Sequence, residues 1–319
     1  MIDPLYEALY SFGEISRLSL SDYQMIQSYY DTQSISYAKS WLYLLRASRY
    51  SNGELGCKIF HNNMLLLLGY RNDLCFIVNP ASLNVIPLVM SVCERLHDRK
   101  RCGIILKKVN STLASYLLDT GHFESISNTF QPNALEDDLF PEHEVFLEDL
   151  FNSDLSLKQS ARIVARSVRR FQKETRLIEA KSWISYEQAR QGLQRLSASN
   201  SDKYNSYLPI IQTVFLHSSP NSSYRCMCFH ENELIHGLYI AEYLGNNSTM
   251  GLYCALSSRD GKGITEWMDI EFFRDMYRCG VKKILFGGSE TLGVHNYVQK
   301  LFVRKPSNIS YTLKYKFQN

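Results

Sequence analysis

Near the end of this 319-residue chain, Lys283-Ile284-Leu285-Phe286 runs straight into Gly287-Gly288-Ser289-Glu290 and then into a helix-length segment, Thr291 to Phe302. An apolar run that stops at two glycines and resumes at helical period reads as strand, tight turn, helix. The chemistry such a junction supports is anion binding. Glycines admit close approach of the backbone, and a first helical turn offers N–H donors without intrahelical partners. A phosphate fits there, and so does the oxyanion that forms when a nucleophile adds to a carbonyl. Ser289 and Glu290 stand at the helix start. A carboxylate at that position caps the helix and is also placed to take a proton from an attacking amine.

A second chemistry-bearing group lies upstream. Arg162, Arg166, Arg169, Arg170, Lys173 and Arg176 follow the three-to-four spacing of one helix face, with Ile163, Val164, Val168 and Phe171 as an apolar stripe opposite. Such a face can grip the phosphates of a nucleic acid without reading its sequence. It can equally be a structural helix whose charge is balanced by the acidic stretch within residues 136–149. Glu242 and Glu266 are further carboxylates able to polarise an amine, although single carboxylates on strand and helix edges are mostly solvated, which is the expectation for both. His217, His230, His236 and His295 have no metal-ligand spacing, and Cys226-Met227-Cys228 lacks the two-residue gap of a zinc site, so no metal is expected.

Elements must position these groups. Residues 1 to about 50 read as helical. Cys57–Phe60, an Asn62-Asn63 turn and Met64–Tyr70 read as a hairpin, followed by a strand over Asp73–Asn79, a helix over Ser82–Arg101, a strand over Gly103–Val109 and a helix over Ser111–Thr120 closed by Gly121. The order then repeats. Arg225–His230 and Leu234–Leu244 form a hairpin, Met250–Ser257 a strand, Thr265–Cys279 a helix, Val281–Phe286 a strand and Leu292–Phe302 a helix, with Ile309–Phe317 a final strand. Two strands around a long helix are expected to be parallel, giving α/β architecture with mixed sheets.

Composition allows two domains: 45% hydrophobic and 21% charged, with 35 Lys+Arg against 32 Asp+Glu and a net charge of +3. That excess is too small to imply nucleic acid by itself, so any polyanion site is local. The eight cysteines are spread through apolar runs, the pattern of reduced, buried thiols. No apolar run approaches the ~20 residues of a spanning helix. The acidic start, Met1-Ile2-Asp3-Pro4, lacks the basic region of a secretory signal. A cytoplasmic location is expected.

The chain resembles tandem GNAT proteins, in particular the DUF2156 type found as the C-terminal domain of phosphatidylglycerol lysyltransferases. The residues that carry the likeness are Gly280-Val281, Phe286-Gly287-Gly288-Ser289-Glu290, Gly293-Val294, Lys300-Leu301-Phe302 and the basic Val168-Arg169-Arg170-Phe171-Gln172-Lys173. Departures are Val294 where the group has Leu, and His295-Asn296-Tyr297 in place of an apolar-Phe-Lys lead-in. The resemblance implies two GNAT-like domains, at 1–130 and 181–319, joined by a linker at 131–180. It also implies acyl or aminoacyl transfer, with aminoacyl-tRNA as donor, no tightly bound cofactor, and a small-molecule, peptide or lipid acceptor. Ordinary GNAT enzymes seat coenzyme A pyrophosphate on a Gly-x-Gly loop, matched here by Arg259, Gly261, Lys262 and Gly263, so acyl-coenzyme A stays open as the donor. The first half has no glycine at the equivalent Asn79-Pro80-Ala81-Ser82. A tyrosine five residues before the closing phenylalanine, which protonates the leaving group in many GNAT enzymes, corresponds to Tyr297; the first half has Leu118 there. The second half is therefore expected to carry the chemistry, and a noncatalytic binding scaffold is the alternative.

Overall fold

A computed structural model describes residues 9, 15–22, 25–26, 29, 40–47, 55–71, 74–78, 80, 83–100, 102–126, 143–174, 177–182, 184–198, 201–216, 223–258, 260–286, 296–298 and 311–316. In chain order the elements are β1 (Ile15–Arg17), α1 (Trp41–Ala47), β2 (Leu55–His61), β3 (Met64–Arg71), β4 (Leu74–Val78), α2 (Ile86–Lys100), β5 (Gly103–Val109), α3 (Ser111–Asp119) and β6 (Phe123–Ser125). There follow β7 (His143–Phe146), α4 (Leu147–Leu150), α5 (Arg162–Gln172), β8 (Glu179–Ser182), α6 (Tyr186–Leu196), α7 (Ser201–Leu216), β9 (Tyr224–Glu231), β10 (Leu234–Leu244), β11 (Asn246–Ser257), α8 (Ile264–Arg278), β12 (Lys283–Phe286) and β13 (Tyr311–Tyr315).

Two compact units result, one built on Met1–Glu142 and the other on His143–Gly287. In the first, the described strands run β1-β2-β3-β4-β5-β13-β6. The β2–β3 hairpin closes on Asn62 and Asn63 at φ 48° and 60°, the left-handed pair that a two-residue hairpin turn requires and that asparagine tolerates. β4 and β5 are parallel with α2 between them in the chain, and Val89, Val92, Cys93 and Leu96 of that helix are buried with Leu66, Ile77, Ile104 and Leu106. Asn110 caps α3 by accepting from the Leu113 N–H at 2.9 Å, and Gly121 at φ 76° ends it.

Three readings change. β1 is a strand inside the span read as helical; most of residues 1–50 lie outside the described set. β13 does not complete the second sheet: it pairs antiparallel with β5 and β6, so the chain returns to the first unit and buries Leu313 there. The segment drawn as a linker is not one either, because β7 pairs with β12 and α5 packs into the second core. The boundaries at 130 and 180 thus differ from the contact division at 142/143.

The second sheet runs β7-β12-β11-β10-β9-β8 among the described strands. β11 and β12 are parallel, with α8 as the crossover. Phe272, Phe273, Met268 and Ile270 of α8 are fully buried with Val164, Val168 and Phe171 of α5 and Phe229 and Tyr239 of the sheet. At about 1.5–3 kcal/mol for each large apolar side chain, this burial fixes α8 and α5 to the sheet. α6 and α7 were not anticipated; α6 begins with a capping box, Ser185 with Gln188. Seven of the eight cysteines are buried, with Cys279 exposed. Burial pushes the Cys226 thiol well up and that of Cys228 to about 12, so both are inert. Among the described residues no helix is long and apolar enough to cross a membrane.

Candidate active site

The parallel β11–β12 ladder stops at Leu252↔Phe286, although β11 itself continues to Ser257 along β10. At that point β11 bulges. Cys254 pairs with Ile240 and Leu252 with Ala241, leaving Tyr253 as the extra residue. A bulge re-aims side chains and ends pairing. Tyr253 folds over Gly251, where an added Cβ would lie 2.1 Å from the tyrosine hydroxyl oxygen. Glu242 stands opposite Gly251 on β10 and is only 1% exposed. The expectation of a solvated Glu242 is corrected: it lies on a central strand with neighbours on both sides, not on an edge.

Beyond Ser257 the chain turns through Ser258–Gly263 into α8, and the Ser257 and Thr265 hydroxyls meet at 3.0 Å across that turn. Gly263 is left-handed at φ 86°, and a Cβ there would sit 2.3 Å from the Ser167 carbonyl oxygen of α5. Only glycine fits, and α5 is directly behind the loop. As N-cap, Gly263 has no side chain to bond the first-turn amides of α8, and amides at a helix start suit an anion. Gly261 borders this start and Lys262 is exposed; Arg259 lies outside the described residues.

Asp269, on the second turn of α8, accepts two tyrosine hydroxyls. Tyr239, in the middle of β10, donates to Oδ1 at 2.7 Å, and Tyr297 donates to Oδ2 at 2.7 Å. Burial pushes the Asp269 carboxyl up to about 6; the two hydroxyl donors oppose that rise, and Glu266, half-buried one turn earlier, adds to it. Burial, then the charge of Asp269, hold the Tyr297 hydroxyl far above the ordinary tyrosine range. Tyr297 thus stays protonated with its hydrogen directed at Asp269. A carboxyl near 6 can hold a proton at neutral pH often enough to hand it on. Asp269 and Tyr239 were not picked out from the sequence. Asp269 falls on the buried face of a helix otherwise lined by Met268, Phe272 and Phe273, and an acid on such a face is a legible signal.

On α5, Arg162, Arg166, Arg169, Arg170 and Lys173 are all exposed. Among the described residues none of the five is in an ion pair; the Arg169 Nε donates to the Ala165 carbonyl at 3.2 Å. Ile163 is 52% exposed and does not join the apolar stripe. Phe171 stacks at a tilt on Trp267 of α8, with centroids 5.0 Å apart, so the helix is anchored on one side and bare on the other. The nearby acids Glu148 and Asp149 instead present backbone carbonyls to Lys158 and Ser160. Arg176 and residues 136–142 of the acidic stretch lie outside the described set.

Gly287, Gly288, Ser289 and Glu290 also lie outside it, as does the segment 291–295. What is described is that β12 delivers Phe286 beside His143 of β7, a fully buried histidine at the end of the ladder that the sequence reading did not single out. Among the described residues no group of three His, Cys, Asp or Glu side chains could hold a metal ion.

No protein-family model matches this chain, and no curated protein matches it by sequence. Solved structures do match. A conserved protein of unknown function from Bacteroides thetaiotaomicron superposes with a TM-score of 0.73 at 11% identity, covering 95% of this chain and 99% of that one. The C-terminal DUF2156 domain of a putative lysylphosphatidylglycerol synthetase from Agrobacterium fabrum gives 0.60 at 10% identity, covering 94% and 93%. A tandem GNAT protein from the clavulanic acid biosynthesis pathway gives 0.52 at 10% identity, covering 96% and 99%. The fold is therefore that of tandem GNAT proteins, two GNAT-like domains with mixed sheets flanked by helices, and the DUF2156 type is among its neighbours. Identities this low establish fold and nothing finer.

Proposed function

We propose that the protein is an acyl or aminoacyl transferase whose second unit carries the chemistry, with aminoacyl-tRNA as donor. One observation carries the choice of donor: the exposed basic face of α5 belongs to the helix whose Ser167 carbonyl backs onto Gly263, at the start of α8. A donor whose phosphates lie along Arg162, Arg166, Arg169, Arg170 and Lys173 is thereby brought to the loop at the open end of the β11–β12 ladder. The putative lysylphosphatidylglycerol synthetase domain with this fold is consistent with that donor and with a lipid acceptor; a peptide or small-molecule amine serves equally.

In this reading an acceptor amine attacks the ester carbonyl of the donor. The new C–N bond forms, the amine loses its proton to Glu290, and the amides around Gly287 and Gly288 stabilise the oxyanion, with Ser289 beside them. As the ester C–O bond breaks, the ribose oxygen takes a proton from Tyr297. Asp269 in its protonated form can donate to the Tyr297 oxygen, which frees the phenolic hydrogen to point at the leaving group. Tyr239 holds the other carboxyl oxygen. No tightly bound cofactor takes part.

A second reading, acyl-coenzyme A as donor, is favoured by the uncapped start of α8 behind Gly261 and Gly263. Titration of the protein with bulk aminoacylated tRNA and with acetyl-coenzyme A, at two salt concentrations, separates the readings. The tRNA donor requires binding that weakens with salt and is lost when Arg166, Arg169 and Arg170 are changed to Glu. Coenzyme A binding abolished by Gly261→Asp, with no tRNA binding, would replace it with the second reading. Binding of neither leaves a scaffold.

A further inference from the structure

Glu266, in the first turn of α8, is half-buried rather than solvated. It stands one turn before Asp269 on the same side of the helix, a spacing that puts the two Cβ atoms about 5–6 Å apart. Its negative charge adds to the rise of the Asp269 carboxyl and to that of the Tyr297 hydroxyl, so it faces this pair. Further along the same side of α8, Phe273 meets Phe286, the last residue of β12, edge-on with centroids 5.9 Å apart. Glu266 lies about 10 Å nearer the start of the helix than Phe273, which carries it past the end of β12. Among the described residues its carboxylate is in no ion pair and no hydrogen bond. Two acids one turn apart, one of them buried, repel each other in the free protein, and a polyanionic donor adds to that cost. A cation that arrives with the donor removes it. Aminoacyl-tRNA brings one, because the carbon next to its ester carbonyl carries an ammonium; acyl-coenzyme A has no charge there.

We propose that Glu266 selects the acyl group, its carboxylate binding the α-ammonium of an aminoacyl ester whose leaving oxygen lies at Tyr297. The inference rests on the transferase reading with an aminoacyl-tRNA donor and narrows that donor to one whose α-amine is free. Glu290 remains the group that takes the proton of the attacking amine. Glu266, paired with the donor's own amine, keeps that amine charged, and a charged amine cannot attack a neighbouring ester.

Two measurements on the full chain test this, both with Glu266→Gln, which keeps the shape and removes the charge. The first needs no donor. It follows the carboxyl carbons of the protein labelled with γ-13C aspartate, with the Asp269 signal identified by its absence in Asp269→Asn. Loss of the neighbouring charge should lower the Asp269 midpoint by roughly half a unit; an unmoved midpoint overturns the placement of Glu266 at the site. The second compares the affinities of bulk aminoacylated tRNA and of the same tRNA with its α-amines acetylated, at pH 6, below the ordinary α-amino range. The unaltered protein should prefer the free-amine form by roughly fivefold, the upper end for a solvated ion pair. Glu266→Gln should bring the ratio to near unity by weakening the free-amine form alone. Equal binding of both forms by the unaltered protein, or a preference that Glu266→Gln retains, overturns the inference and leaves the tRNA donor standing. Absence of binding by both forms overturns the tRNA donor itself, and the inference with it.

Discussion

Asp269 is the residue on which the second unit's electrostatics turn. Its carboxyl is raised from 3.8 to about 6 in the fold, so the native state binds its proton more tightly than the unfolded chain. The stability this supplies is complete below about 4 and is lost as pH rises through about 6, a loss of about 3 kcal/mol at most. Asp269→Asn keeps the shape and can still bond both tyrosines. In paired urea unfolding at pH 4.5 and 7, the variant should lose this contribution to the pH dependence and gain relative to the parent at pH 7. Tyr297→Phe strips one donor from the buried carboxylate. It should lower stability by about 1–3 kcal/mol and any transfer rate by about 10²–10⁴, with tRNA affinity unchanged. Weakened tRNA binding in that variant would place Tyr297 in donor recognition instead of proton transfer.

The α5 helix acts as an element rather than as separate residues. Val164, Val168 and Phe171 fix one side in the core, so the cations opposite are presented on a rigid rod at fixed pitch. Neutralising Arg166, Arg169 and Arg170 to Gln should reduce the slope of log affinity against log salt for tRNA by roughly three and leave the melting temperature nearly unchanged, since exposed charges contribute little to stability. Gly263→Ala belongs to the same scale. A methyl group 2.3 Å from the Ser167 carbonyl, on a left-handed backbone, must push α5 off the start of α8. Thermal melting should show a loss of about 2 kcal/mol or more, together with weaker tRNA binding, because loop and rod move apart.

At the scale of the whole molecule, the last described strand returns to the sheet that the first described strand opens. β13 lies between β5 and β6, with Leu313 buried against Leu106 and beside Ser125. Truncation after residue 308 removes the strand that joins them. The expected outcome is unfolding of the first unit, read as loss of its share of the circular-dichroism transition and as proteolysis within residues 1–142, while the core around α8 persists. Retention of a single full-amplitude transition would show that the first sheet does not need the last strand.

Much of this was legible in the chain. The Asn62-Asn63 turn, the Gly103–Val109 strand, the Gly121 helix end and both strand–helix–strand crossovers are written in local pattern, because turn chemistry and the 2.0 and 3.6 periods need no distant partner. The glycine before α8 and the cation spacing on α5 could be read in the same way. Other features depended on where distant segments meet. Nothing local in Tyr311–Tyr315 says which of two sheets takes it, since an alternating strand is compatible with any open edge. Glu242 reads as an edge acid until the pairing puts β10 in the centre, and His236 as one histidine among eight until a bulge turns it toward Glu231 and Asp260. The sequence determined the elements and the residues able to do chemistry. Only the tertiary structure decided that Tyr239 and Tyr297, 58 positions apart, share the carboxylate of Asp269, because burial and proximity are created by packing between segments that carry no local record of one another.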